Sequence, residues 1–455
     1  MHSVNEMDTP ICDFVRKYAD SGVVRMHMPG HKGRGFLGIE HLDITEIEGA
    51  DSLYEAEGII AKSEANASAL FECKTFYSTE GSSQCIRAML YLLLQYAKEH
   101  GKKPLVAAGR NAHKSFLTAV ALLDIDVYWL YPKKEESYLS CNLSASELEE
   151  YLESTEEKPV AVYLTSPDYL GLVADIKEIA KVCHRHGVLL AVDNAHGAYL
   201  KFLPNDMHPM TLGADICCDS AHKTLTVLTG GAYLHLSSLM EKAVGQQTKN
   251  ALMLFGSTSP SYLVLQSLDA ANVYMSEYPT YLEKILRRVA QLKDRLTKRG
   301  YILYGNEPLK LTIQAKPYGY TGKELANLLR KQNIEPEFAD PDYLVIMLSA
   351  EMSEEMLEKI EKAFCSIEAL PPILEDSPIF AVGEKVLSVR EAMLSSSECL
   401  PIENCVGRVL ALPSVGCPPA VPILVCGEKI DKHAIDCFTY YGIDKCCVVK
   451  SLEIK

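Results

Sequence analysis

The chain has no basic segment followed by an apolar stretch near its start, where MHSVNEMDTPICDF stands, and no apolar run elsewhere approaches the length that spans a bilayer. Neither a secretory leader nor a membrane-spanning helix is therefore expected, and the expectation is a cytoplasmic protein with no membrane partner. Basic charge is scarce as well. Against 60 Asp and Glu there are 45 Lys and Arg, a net charge of −15, and this excludes a nucleic-acid backbone as partner. The 15 cysteines contain no C-x-x-C pair, which argues against a zinc ribbon or a thioredoxin-type site and leaves no metal expected. Seven of them fall between Cys399 and Cys447. They are expected to be small buried apolar side chains in a reducing compartment. Internal repeats and low-complexity tracts are also missing.

What is present is enough chain, 455 residues, to bury a large core split over two or three domains. Residues 1–60 lack long periodic segments and read as an N-terminal arm that gains order by packing on something else. Residues 61–275 alternate strand and helix signals, as a large α/β domain with a parallel sheet does. Phe76 to Gly101 holds the clearest helix: Ile86, Leu90, Leu93 and Ala97 repeat at helical spacing, the start falls near Gly81-Ser82-Ser83, and Gly101 closes it. A long helical stretch, one helix or two, runs to Gly300. Residues 276–370 form a smaller α/β domain, Pro371-Pro372 marks a boundary, and 371–455 form a C-terminal cap.

Two stretches carry chemistry. ADICCDSAHKTLTVLTGG (214–231) holds Lys223 between two segments that read as buried, where a lysine rarely sits by accident. Burial disfavours its ammonium form and makes the neutral amine available to form a Schiff base. Taken alone, such a lysine more often reaches the surface or pairs with a carboxylate. The second stretch, VLLAVDNAH (188–196), argues otherwise, because it is a continuous apolar run ending in Asp193, as a buried parallel strand ends. Ligands of open α/β sheets bind outside such strand ends. A pyridoxal phosphate enzyme needs a lysine for the aldehyde and a carboxylate to keep the pyridinium nitrogen protonated, and Lys223 and Asp193 fit these two tasks.

The helix start at Gly81-Ser82-Ser83 joins free N–H groups, two hydroxyls and the positive dipole end, a ready phosphate site. An ordinary N-cap is the plainer reading of the same residues. Glu80 must point away from such a phosphate or be neutralised. His113 in RNAHKS is either a satisfied loop histidine or a flat ring over the cofactor. Gly33-x-Gly35-x-x-Gly38 matches a dinucleotide fingerprint in form, but no buried strand precedes it and no helix opens on it, so a Rossmann dehydrogenase is rejected.

Together HMPGHKG (27–33), TEGSS (79–83), RNAHKS (110–115), LTSPDYLG (164–171), VDNAHGAY (192–199), SAHKTL (220–225), STSPSY (257–262) and GRV…PPAVPIL…GE (407–428) resemble the ornithine/lysine/arginine decarboxylase family of pyridoxal phosphate enzymes. The motifs run almost end to end in family order. The resemblance implies a fold type I architecture: an α/β protein with a mostly parallel central sheet flanked by helices, a smaller α/β domain and a C-terminal cap. It implies that Lys223 is the Schiff-base lysine, Asp193 the partner of the pyridinium nitrogen and His113 the ring-stacking residue. Ser82, Ser83, Ser220 and His222 would hold the phosphate or lie beside it, and His196 would line the pocket. Shared active sites in a homodimer or larger homo-oligomer would bring Thr258 to the neighbour's phosphate.

The implied reaction is decarboxylation of arginine, lysine or ornithine in polyamine-type metabolism, with a group near the Lys223–His222 turn reprotonating the α-carbon. Glu428 and Asp51 are the substrate-side candidates on resemblance alone. Two departures stand out: Glu80 replaces the family's asparagine, and Ala420 replaces the glycine of P-P-G-[IV]-P. The receiver-like N-terminal domain of the long members is not expected. The rival readings are an aminotransferase or amino-acid lyase on the same fold, and a non-catalytic binding protein that has kept it.

Overall fold

Seven strands build the main sheet of the computed structural model, which describes residues 7–132, 137–379, 382–414 and 418–450. They are β1 Lys74–Ser78, β2 Leu105–Gly109, β3 Asp126–Leu130, β4 Ala161–Thr165, β5 Leu189–Asp193, β6 Ile216–Asp219 and β7 Ala232–Leu236, in the order β1-β7-β6-β5-β4-β2-β3. Strand β7 is reversed, antiparallel to both β1 and β6. The pairs β5/β6 and β2/β3 are parallel. The mostly parallel α/β sheet expected from the sequence is therefore present. Every residue of β5, β6 and β7 is buried, as in a sheet covered on both faces, and this is why these strands are written as unbroken apolar runs. Asp193 and Asp219 are the last residues of β5 and β6. Two carboxylates thus stand at the carboxyl ends of adjacent strands, where open α/β sheets bind ligands.

The chain divides into two units: one holds the chain up to Lys103 with Val160–Val162 and Ile176–Glu283, the other Pro104–Pro159, Tyr163–Asp175 and the chain from Lys284. In the first, the helix Gly81–Glu99 begins where the sequence places it, and Gly101 follows in the left-handed region at φ 62°. The N-terminal stretch differs from expectation in one respect. Pro10–Asp20 is a helix that buries Pro10, Ile11, Cys12 and Val15. Its first N–H groups, on Ile11 and Cys12, both donate to Asp269 Oδ2 at 2.9 Å, so a carboxylate distant in sequence caps it. The glycines from Gly33 to Gly38 lie in irregular chain. The stretch expected as one helix or two is a single helix, Tyr262–Lys298, with Pro279 inside it.

The second unit contains an antiparallel four-stranded sheet, ordered β10-β11-β9-β8, of β8 Ile302–Tyr304, β9 Lys310–Gln314, β10 Phe338–Ala339 and β11 Tyr343–Met347. Nearer the C-terminus, β12 Ser397–Pro401 pairs with β13 Lys445–Val449. The reading of the C-terminal cysteines as buried thiols is corrected for one pair. Cys399 and Cys447 face each other across this ladder and are joined by a disulfide. Cys405, Cys426, Cys437 and Cys446 are buried thiols, and Cys417 lies outside the described residues. Among the described residues no helix is long and apolar enough to cross a membrane.

Candidate active site

Lys223 sits in a single helical turn, Ala221–Thr224, directly after β6. The chain then loops through Gly230-Gly231 into β7. The N–H of Gly81 donates to Gly230 O at 2.7 Å and that of His222 to Gly231 O at 3.2 Å, so the glycine pair ties the lysine turn to the start of the helix Gly81–Glu99. Gly230 stands at φ 101°, and a Cβ there would lie 2.7 Å from the carbonyl oxygen of Thr79. Only glycine permits that approach. One expectation is corrected here. Lys223 is half-buried, and the segment leading out is largely exposed at Thr226, Leu228 and Thr229, because the chain leaves the sheet end as a loop. The lead-in alone is buried, so the lysine is distinguished by its neighbours more than by its depth.

His196 is one such neighbour: its Nε2 lies 2.9 Å from Lys223 Nζ. His196 is buried and belongs to the turn after β5. That turn starts at Asp193, which is 2% exposed. The Asp193 Oδ1 accepts the Ala195 N–H at 3.2 Å and lies 3.7 Å from Cys218 Sγ. Between them Asn194 is pinned to β6 by its own N–H, donated to Cys218 O at 2.9 Å.

The helix start supplies hydroxyls. Ser220 Oγ donates to Ser82 Oγ at 2.8 Å, joining the lysine turn to the helix's first turn, with Ser83 next in line. Glu80 occupies the N-cap position and makes no capping hydrogen bond. Its Oε1 instead accepts the N–H of Ser257 at 2.6 Å, which turns the carboxylate toward the 256–261 loop. His222 is half-buried, and its Nδ1 lies 3.0 Å from Gly231 O. Burial, assisted by the charge of Lys223, pulls its imidazole below the ordinary histidine value, against the raising effect of the Gly231 carbonyl.

The other candidates are placed as follows. Thr258 is exposed on the loop that Glu80 holds. Asp51 gives both carboxylate oxygens to backbone N–H groups of its own neighbourhood, including Gly58 at 2.8 Å and Ile60 at 3.0 Å, and so builds the entry to the helix Ile59–Phe71. His113 and Glu428 belong to the second unit. His113 caps the helix Lys114–Leu123, its Nδ1 accepting from Ser115 N at 3.1 Å. Glu428 is 5% exposed and accepts from Arg110 Nη2 at 3.3 Å and from Val425 N at 2.8 Å. Ala420, standing where the family pattern has glycine, adopts φ 57°.

Lys223, Asp193, His196, Ser82, Ser83, Ser220 and His222 thus share one unit. Their donor chemistry fits pyridoxal phosphate: an amine for the aldehyde, a buried carboxylate for a protonated ring nitrogen, and hydroxyls at a helix N-terminus for the phosphate. Sequence reasoning missed Asp219 and its partners. A strand-ending aspartate immediately before the SAHK turn is a signal of the kind that singles out Asp193.

The fold, a mostly parallel seven-stranded sheet with helices, matches that of fold type I pyridoxal phosphate enzymes. Residues 9–306 match the family model described as Orn/Lys/Arg decarboxylase, major domain. The chain belongs to that family, whose members are pyridoxal phosphate-dependent amino-acid decarboxylases. It is 30% identical over 465 residues to the protein YaaO of Bacillus subtilis (strain 168), covering 94% of this chain and 93% of that one. It is 28% identical over 475 residues to the arginine decarboxylase of the same organism, covering 95% and 93%. Its fold is similar to that of the Francisella novicida lysine decarboxylase LdcF, with a TM-score of 0.79 at 16% identity, over 98% of this chain and 82% of that one.

Proposed function

We propose that this chain binds pyridoxal 5'-phosphate at Lys223 and decarboxylates a basic amino acid (arginine, lysine or ornithine) to its amine and CO2. The observation that carries this reading is the convergence of Lys223 with His196 at 2.9 Å and of Ser220 with Ser82 at 2.8 Å, beside the buried carboxylate of Asp193. When bound, the cofactor supplies an electron sink for the pair left by the departing carboxylate. Everything else falls to the chain. Lys223 Nζ, within hydrogen-bond reach of His196 Nε2, would hold the cofactor by its aldehyde. Asp193 keeps a proton on the ring nitrogen. The first turn of the helix Gly81–Glu99, with Ser82, Ser83 and Ser220, binds the phosphate. His222, tied at Nδ1 to Gly231, stands beside Lys223 in the turn that returns a proton to the α-carbon.

His113 as the residue stacked on the ring, Thr258 as a contact to a second subunit's phosphate in a homodimer, and Glu428 or Asp51 as acidic partners of the substrate's basic end complete the proposal. So do a cytoplasmic location and a place in polyamine metabolism. Arginine is the first substrate to assay, because a relative similar over nearly its whole length bears the name arginine decarboxylase. The test is the absorbance spectrum of the purified protein before and after borohydride, then amine and CO2 release from arginine, lysine and ornithine. A visible band lost on reduction, with cofactor mass on the Lys223 peptide and amine from one substrate, supports the reading. Cofactor binding without CO2 release would move it to an aminotransferase or lyase, and no binding after reconstitution would overturn it.

A further inference from the structure

The carboxylate of Asp219 ends β6, is fully buried, and immediately precedes the turn that carries Lys223. Three side chains converge on it. Asn194 Nδ2 donates to Oδ1 at 2.7 Å, while His208 Nε2 and His235 Nε2 lie 3.0 and 3.2 Å from Oδ2. Both imidazoles are fully buried and held at their other nitrogen. Met210 N–H donates to His208 Nδ1 at 3.3 Å, and Thr75 Oγ1 lies 2.9 Å from His235 Nδ1. Because His208 Nδ1 accepts, its proton sits on Nε2 and points at Asp219.

The consequence lies on the other oxygen. Asn194 separates Asp193 from the Ala195–His196 segment, and it is bound to β6 twice, by its backbone N–H to Cys218 O at 2.9 Å and by its side chain to Asp219. Gly197 closes the turn so tightly that a Cβ there would lie 2.0 Å from Asn194 Oδ1. One carboxylate therefore sets the spacing between two turns: the one bearing Asp193 and His196, and the one bearing Ser220 and Lys223. We propose that Asp219, acting through Asn194 and anchored by His208 and His235, is a positioning residue that holds Asp193 and His196 in register with Lys223. It rests on the cofactor-binding reading given above. The other titratable groups around this carboxylate are Cys217, whose Sγ is 3.8 Å from Oδ1, then Cys218 on β6, Tyr233 on β7, Cys85 on the helix Gly81–Glu99, Cys73 behind His235, and Asp193 itself.

The test uses Asn194→Ala, which cuts the link and leaves the histidine contacts, and Asp219→Asn, which removes the charge at constant shape. Hydrogen exchange of the cofactor-free protein reports on the turns alone. Exchange over 193–200 and 216–224 should rise at least about tenfold in both variants, with 310–314 unchanged. In the loaded enzyme the pH at which the visible band titrates should move, and kcat should fall about 10- to 100-fold with KM nearly constant. Lower melting temperature with wild-type exchange and band titration would make Asp219 a purely structural group and overturn the proposal. One equivalent of bound metal, lost on Asp219→Asn, would overturn it in favour of a metal site at His208, Cys217 and Asp219. If wild-type protein takes up no cofactor the functional reading fails, and the exchange measurement still decides the positioning.

Discussion

Lys223 Nζ and His196 Nε2 lie 2.9 Å apart, although they come from the turns after two different strands. The amine is thus placed by the sheet's strand order rather than by its own short helical turn. Lys223→Ala should reduce kcat by at least about 10³-fold and leave no cofactor on the 214–231 peptide after borohydride, as peptide mass spectrometry reads it. The melting temperature should stay near wild type, since the side chain is only half-buried.

Asp193 Oδ1 accepts a backbone N–H from Ala195, and its substitution by asparagine keeps an acceptor while removing the charge. Asp193→Asn should retain bound cofactor, measured by absorbance, and lose kcat by about 10²- to 10³-fold, the scale of losing one preorganised electrostatic contact.

Arg110 is 1% exposed and donates to Pro422 O at 3.0 Å, Ile423 O at 3.1 Å and Glu428 Oε2 at 3.3 Å. Arg110→Leu strands a buried carboxylate and two carbonyls, at a cost of about 3–5 kcal/mol. Glu428→Gln still accepts from Arg110 and Val425 and should lower the thermal midpoint much less. Melting curves of both variants read the difference.

Burial lowers the His235 imidazole, but Cys73 and Asp219 together carry it above the ordinary histidine value. A raised folded value favours the protonated form in the native state. Its stabilisation is therefore complete below the unfolded histidine pKa of about 6.5 and is lost as pH rises through the folded value. Wild type should exceed His235→Gln in urea midpoint most at about pH 5.5, and the gap should narrow by about pH 8.5.

Ala420 occupies the left-handed region at φ 57°, which costs a residue with a Cβ about 1–2 kcal/mol. Ala420→Gly should therefore raise the thermal midpoint by an increment of that order, partly offset by glycine's greater unfolded freedom. Differential scanning calorimetry measures it.

Much of the site is legible in the amino-acid sequence because its parts are local. A run such as LLAVD reads as a strand covered on both faces, which puts Asp193 at a strand end. The spacing of Ile86, Leu90 and Leu93 allows only a helix that starts near Gly81. The misleading signal is local too: the lysine turn reads as buried because Thr226 to Thr229 are flanked by apolar letters, yet this loop leaves the sheet and meets solvent.

By itself the sequence determined the alternation of strands and helices in the large domain, the end of β5 at Asp193 and the helix start near Gly81, since each follows from periodicity or burial within a few residues. Only the tertiary structure decided which distant groups meet. It set Asp269 on the helix Pro10–Asp20, Arg110 on Glu428, Cys399 on Cys447, and His208 and His235 on Asp219. Such pairs depend on strand order and register, which bring together residues whose separation along the chain carries no trace of the contact.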